Sequence, residues 1–382
     1  MKRFEFRTLF STLTGFQTLS ELSKKPRFVI QEESLISPGK DYAHKFKGSI
    51  KKDAYNMTIL GKATASSKLL AKLLPFALIF LFGCTQNAEQ DSGPEPQTHS
   101  LFGEPLFPIE QDSTARARLD SNLAVAQANF DHDPDSEENL IWLGRRTAYL
   151  WQYKKAAEIY SDGLEKHPDS YKLLRHRGHR YISLRQFDKA VADYKRASEL
   201  IAGVEDEVEP DGAPNKYNIP TGTSHFNIWY HYGLAHYLRG EFEEALRCYR
   251  ECMKFSNNPD AQVATSDWLY MTLRRLGRKE EAQEVLEPIT ADMKILENDA
   301  YHKRLLMYKG EIAPDEILNL DEADALQIAT YGYGVANWYF YNGDQEKAVE
   351  IYRKVLAGTY WAAFGYIAAE ADLKRLGLTP QE

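Results

Sequence analysis

Residues 175–180 read Arg-His-Arg-Gly-His-Arg, the most unusual local composition of the chain. Arginine presents a fixed fork of donors that holds a carboxylate through charge-assisted, often bidentate bonds, and histidine changes charge near neutral pH. The chemistry open to such a group is recognition of an acidic ligand; the alternative is a solvated helix face whose cations pair with nearby Asp and Glu. A second concentration, Phe226-Asn-Ile-Trp-Tyr-His-Tyr-Gly-Leu-Ala-His-Tyr237, is aromatic, and Tyr offers contact area with a polar tip. His231 and His236 have no Asp, Glu or Cys at ligand spacing within that segment. Cys248 and Cys252 make only half a zinc site, and four apart on a helix they lie near the long limit for a disulfide, so both read as small buried residues. No metal or cofactor is expected. The chain has no Walker or dinucleotide glycine loop, no His-Glu-x-x-His and no Gly-x-Ser-x-Gly elbow.

The uncharged run Leu73-Leu-Pro-Phe-Ala-Leu-Ile-Phe-Leu-Phe-Gly83 is too short to span a bilayer but suits a signal-peptide core, preceded by Lys62, Lys68 and Lys72. Leu81-Phe82-Gly83-Cys84 resembles a bacterial lipobox, with Phe82 bulkier than that pattern usually has. The resemblance implies that Cys84 is lipidated and becomes the first residue of the mature protein. The expected organisation is an upstream extension over 1–56, a lipoprotein signal over 57–83 starting at Met57, a flexible tether over 84–112 that is polar through Ser100, and a folded body over 113–382. A cytoplasmic tail on an uncleaved anchor is the competing reading of 1–56. The expected location is the cell envelope, held by lipid and facing the periplasm or exterior.

Charge divides at the same place. Beyond Cys84 the chain holds 33 Lys+Arg against 49 Asp+Glu, a net of −16, whereas the whole chain carries −8. An acidic body argues against a nucleic-acid partner, which needs a phosphate-neutralising face.

What must position the side chains is a repeat. Gly144, Tyr153, Ala156 and Tyr160 recur as Gly178, Phe187, Ala190 and Tyr194 at an offset of 34, and again as Gly233, Phe242, Ala245 and Tyr249 at an offset of 55, one period plus a 21-residue insertion. Gly on one helix and Ala on the next let two antiparallel helices approach closely, while aromatic residues fill the gap to the following pair. These residues, with Pro168 at the closing turn, resemble the tetratricopeptide repeat. The fold class expected is all-α: an α-solenoid of helix-turn-helix repeats over 137–170, 171–204 and 226–259, with divergent repeats over 263–288 and 331–358. Ser113–Phe130 is expected as a lone capping helix at the start, and Trp361–Leu376 as a capping helix at the end. Gly377 and Pro380 supply its stop signal.

In this repeat family the concave groove is lined by fixed positions of each first helix. The resemblance therefore places Arg145, Lys172, Arg175 and His179 on one cationic strip, and Tyr230 and Tyr237 farther along the groove. The paired Asn residues of the chaperone-binding carboxylate clamp are missing. The insertion, Gly203-Val-Glu-Asp-Glu-Val-Glu-Pro-Asp-Gly-Ala-Pro-Asn215 running on to Thr223, is acidic, and its carboxylates are able to fold back over the strip as a lid or an internal competitor. Three functions are carried forward: a lipid-anchored scaffold holding a protein or peptide, acidic in character, in its groove; an enzyme or small-ligand receptor using the Arg/His cluster with Asp211; and a purely architectural envelope protein.

Overall fold

Four of the first helices start at a Ser, Thr or Asn whose side chain accepts a backbone N–H of the first turn: Ser136 from Asn139, Ser170 from Leu173, Thr223 from Phe226 and Asn258 from Ala261. Such caps satisfy donors that the helix itself leaves open. The computed structural model describes residues 95–381, apart from 321 and 324; residues 1–56, the expected signal and Cys84 lie outside the described residues. Helix α1 (Ser113–His132) precedes the hairpins α2/α3 (Glu137–Tyr149, Tyr153–Lys166), α4/α5 (Tyr171–Ser183, Phe187–Leu200), α6/α7 (Ser224–Arg239, Phe242–Met253) and α8/α9 (Pro259–Arg275, Lys279–Leu286). Helix α10 (Asp299–Lys309) and the short α11 (Pro314–Ile317) lead to a last hairpin α12/α13 (Ala325–Tyr341, Gln345–Leu356) and to α14 (Phe364–Arg375). The fold is the expected all-α solenoid.

The glycine spacing has a direct structural cause. A Cβ at Gly144, Gly178 or Gly233 would lie 2.3, 2.8 or 2.8 Å from the ring of Tyr160, Tyr194 or Tyr249, so each tyrosine packs directly against bare backbone. Ala156, Ala190 and Ala245 are fully buried at the same crossings. The divergent repeats keep the fit by other means. The same register puts Tyr270 where the glycine stood and Leu286 where the tyrosine stood, and in the last hairpin it puts Ala336 and Tyr352 there; all four are buried.

The turns repeat as well. Seven residues after each of these positions the backbone is left-handed, at Trp151, Arg185, Gly240, Gly277 and Gly343. Glycine takes that conformation freely, whereas Trp151 and Arg185 take it at a cost of roughly 1–2 kcal/mol each. Both are gripped by the C-terminal segment. The Trp151 ring meets Trp361 at 5.2 Å, and Arg185 Nε donates to Glu370 Oε2 at 2.9 Å.

The last helix therefore caps the final hairpin and also reaches back across the array. Arg375 donates to Leu238 O, and Arg275 Nη2 donates to Asp372 Oδ2 at 2.5 Å. One part of the expected tether differs from expectation. Residues 97–106 form a β-hairpin, β1 (Thr98–His99) with β2 (Pro105–Leu106), docked on the array by the buried Leu106, by Thr98 Oγ1 donating to Leu184 O and by Trp361 Nε1 donating to Phe107 O. The polar composition that suggests a tether ends at Ser100, and the apolar Leu101, Phe102, Leu106 and Phe107 follow it. Among the described residues no helix is long and apolar enough to cross a membrane.

Candidate binding cleft

Helices α2, α4 and α6 present their first turns side by side, and the insertion crosses in front of them. Its arm is a short antiparallel bridge, Val208 opposite Thr223, closed by Glu209 N donating to Gly222 O at 3.1 Å and Ser224 N donating to Glu207 O at 2.9 Å. The arm and the helices enclose a cleft of about 360 Å³ lined by Ile141, Trp142, Arg145, Lys172, Arg175 and Ile228 on the helix side and by Glu207, Val208, Glu209 and Pro210 on the arm.

The acidic residues of the arm take the cations one by one. Glu207 Oε1 accepts from Lys172 Nζ at 2.8 Å and from Tyr171 Oη at 2.6 Å, which holds its carboxyl below the usual range, Lys172 having the larger effect. Glu209 accepts from Arg175 Nη2 at 3.0 Å and from Asn227 Nδ2 at 3.1 Å. The Arg175–Glu209 pair is almost closed to solvent, at 11% and 14% side-chain exposure, while the Lys172–Glu207 pair is far more open at 37% and 45%. Arg145 Nη1 donates to Pro210 O at 2.8 Å, and its guanidinium lies 4.6 Å from the Trp142 ring. Asp206 accepts from the backbone and the ring of His225 at the start of α6.

The histidines serve packing. Arg175 Nη1 donates to His176 Nδ1 at 3.1 Å, which requires a neutral ring at that atom. The His179 and His231 rings meet at 4.6 Å, and Phe364 covers both at 5.3 and 5.6 Å. Burial, then the charge of Arg175, pushes His231 down to about 3; burial, reinforced by Arg175 at His176 and by Arg180 at His179, holds those two well below 6.5. All three are neutral at physiological pH. His179 is not part of the cleft lining.

The two tyrosines of the expected groove also meet the chain itself. The hydroxyls of Tyr230 and Tyr301, the latter on α10, are 2.9 Å apart. Tyr237 is fully buried, and its hydroxyl accepts from Tyr333 Oη at 2.8 Å and Asn337 Nδ2 at 2.9 Å. The six side chains expected on the groove thus each face another segment of the same protein. Asp211 stands beside the cleft with one buried carboxylate oxygen unpartnered, and burial raises its carboxyl. Cys248 and Cys252 are free and buried, with both thiols pushed up to about 12 by burial. Among the described residues no group of three or more His, Cys, Asp or Glu is placed to hold a metal. Trp142, Tyr171 and Phe364 were not among the expected site residues; the alternation Glu207-Val-Glu209 was the available signal for the partners of Tyr171 and Asn227.

The family model of the tetratricopeptide repeat matches residues 226–259, the α6/α7 hairpin and the turn after it. This hairpin is similar to a tetratricopeptide repeat. Among curated proteins the chain is similar to the BBSome complex member BBS4 of Bos taurus, 23% identical over 177 residues covering 46% of this chain and 30% of that protein, and to BBS4 of Mus musculus, 23% identical over 158 residues covering 40% and 26%. The chain thus spans less than a third of the length of these relatives. Among solved structures it overlaps a tetratricopeptide repeat protein from Parabacteroides merdae, 16% identical, covering 68% of this chain and 95% of that one at a TM-score of 0.39. It also overlaps YrrB, described as a TPR protein with an unusual peptide-binding site, 14% identical, covering 65% and 97% at 0.35.

Proposed function

We propose that this tetratricopeptide-repeat solenoid is a scaffold that binds a protein or peptide partner on the face formed by α2, α4 and α6, and that it works outside the cytoplasm on a lipid anchor at Cys84. The observation that carries the binding reading is the cleft: Trp142 stacked under Arg145, with Lys172 and Arg175 beside it, gives an aromatic floor and fixed donors on a rigid helical frame. The anchor reading is supported by the sequence alone, by the apolar run ending in Leu81-Phe82-Gly83-Cys84.

A photo-crosslinking residue at Trp142 tests the first part. A discrete protein adduct is expected in the native host, absent when the crosslinker stands at Arg196 on the outer face of α5. Adducts at neither position, with the protein folded, reject the scaffold. Cys84→Ser tests the second part: it is expected to block processing and release the protein from membranes, and intact-mass detection of residues 1–56 on the mature protein rejects the assignment. A small anionic ligand is the second reading, favoured by a cleft volume at the lower end of the range for small-molecule sites.

A further inference from the structure

We infer that the arm Glu207-Val-Glu-Pro210 is a resident copy of the ligand, and that the partner is recognised through an extended acidic segment with carboxylates two residues apart. In extended backbone, residues i and i+2 point to the same face, about 7 Å apart. Lys172 and Arg175, three apart on α4, are neighbours on one helix face at about 5–6 Å, so a strand laid along the helix delivers alternate side chains to successive cations. The arm realises this match. Glu207 meets Lys172 and Tyr171, with Ser224 as a further hydrogen-bond partner; Glu209 meets Arg175 and Asn227, with the neutral His176 ring 3.9 Å away; and Arg145 holds the backbone carbonyl of Pro210. The intervening Val208 is 61% exposed, so the strand is held by charge and hydrogen bonds with little apolar burial. A segment supplied in trans can replace every one of those bonds.

The inference rests on the scaffold reading and narrows it to a ligand class. It also makes the arm an internal competitor: a trans ligand binds only the fraction of molecules in which the arm has left, and its apparent affinity falls by that fraction. Weakening the arm should therefore strengthen the partner.

A fluorescent peptide copying residues 204–212, and a twin with Gln at both Glu positions, are titrated by anisotropy against the whole protein. The acidic peptide is expected to bind the wild type weakly, and Glu207→Gln/Glu209→Gln at least about tenfold more tightly as the competing arm is released. Adding Arg175→Gln should abolish the gain, high salt should reduce it, and the Gln twin should bind neither protein. The inference is overturned if the double variant keeps its helix content yet binds the acidic peptide no better than the wild type, or if Arg175→Gln leaves the gain intact. Glu207→Gln alone guards against misfolding, since its pair is largely solvated; it should still give a gain of a few fold, and no gain with unchanged melting also overturns the inference. A protein that crosslinks at Trp142 while the acidic peptide fails in every variant leaves the scaffold standing and rejects only this ligand class.

Discussion

At the scale of single residues, size at the helix crossings and charge state inside the array decide stability. Ala190 is fully buried between α4 and α5, so Ala190→Asp both overpacks the crossing and buries a carboxylate. We expect it to lower stability by at least about 3 kcal/mol in a denaturant melt; an unchanged midpoint would mean that the assigned register is wrong. The histidines make a pH prediction. His176 and His231 are buried and neutral in the folded protein and titrate near 6.5 when unfolded. Their folded values are depressed, so the unfolded chain takes up the protons first and stability falls as pH drops below about 6.5. By pH 5 His231 is expected to remove about 2 kcal/mol, and His176 adds to the loss in the same direction. The melting temperature should hold steady from pH 8 to 7 and fall steadily below, and His231→Phe should flatten part of that slope.

Between elements, the contact that joins the end of the chain to its middle is an ion pair sealed from water. Arg185 and Glu370 have side-chain exposures of 4% and 1%, and burial pushes the arginine down and the carboxyl up, each toward its neutral form. Such a pair contributes little net stability while intact, but losing one partner strands the other. Glu370→Ala is expected to cost about 3–5 kcal/mol, whereas Arg185→Met/Glu370→Leu together should cost less than that single change. Arg185→Gly would relieve the left-handed turn and still destabilise, because relief of roughly 1–2 kcal/mol is smaller than the charge left behind. A melt series on the four proteins checks the ordering; a double-variant loss as large as the two single losses added together would mean that the pair is not coupled.

For the molecule as a whole, closure changes how the array should unfold. In an open solenoid each repeat touches only its neighbours, and unfolding can proceed from an end. Here Trp361 meets Trp151 of the first hairpin, Glu370 the second, Arg375 the third and Asp372 the fourth, so one segment couples four hairpins. A single sharp thermal transition is expected for the full chain, followed by circular dichroism and tryptophan fluorescence together. Truncation after Gly358 should separate the two probes, broaden the transition and raise binding of a hydrophobic dye. Coincident sharp transitions in the truncated protein would show that neighbour contacts alone make the array cooperative.

The sequence by itself determined what is local. The Gly144, Ala156, Tyr160 spacing and its two recurrences were legible because close approach of two helices leaves only a few residue types at a crossing, and that constraint repeats with the chain. Gly277 and Gly343 revealed the divergent hairpins through the same turn. Composition likewise pointed to an acidic insertion able to fold over a cationic strip. Register, by contrast, says nothing about contacts made across hundreds of residues. That Glu209 takes Arg175, that Phe364 covers His179 and His231, and that Tyr237 is sealed by Tyr333 and Asn337 depend on where loops and the last helices return in space. Those returns decide which groove residues are open to a partner, because a long-range contact is chosen by the shape and charge of two surfaces that exist only after each has folded.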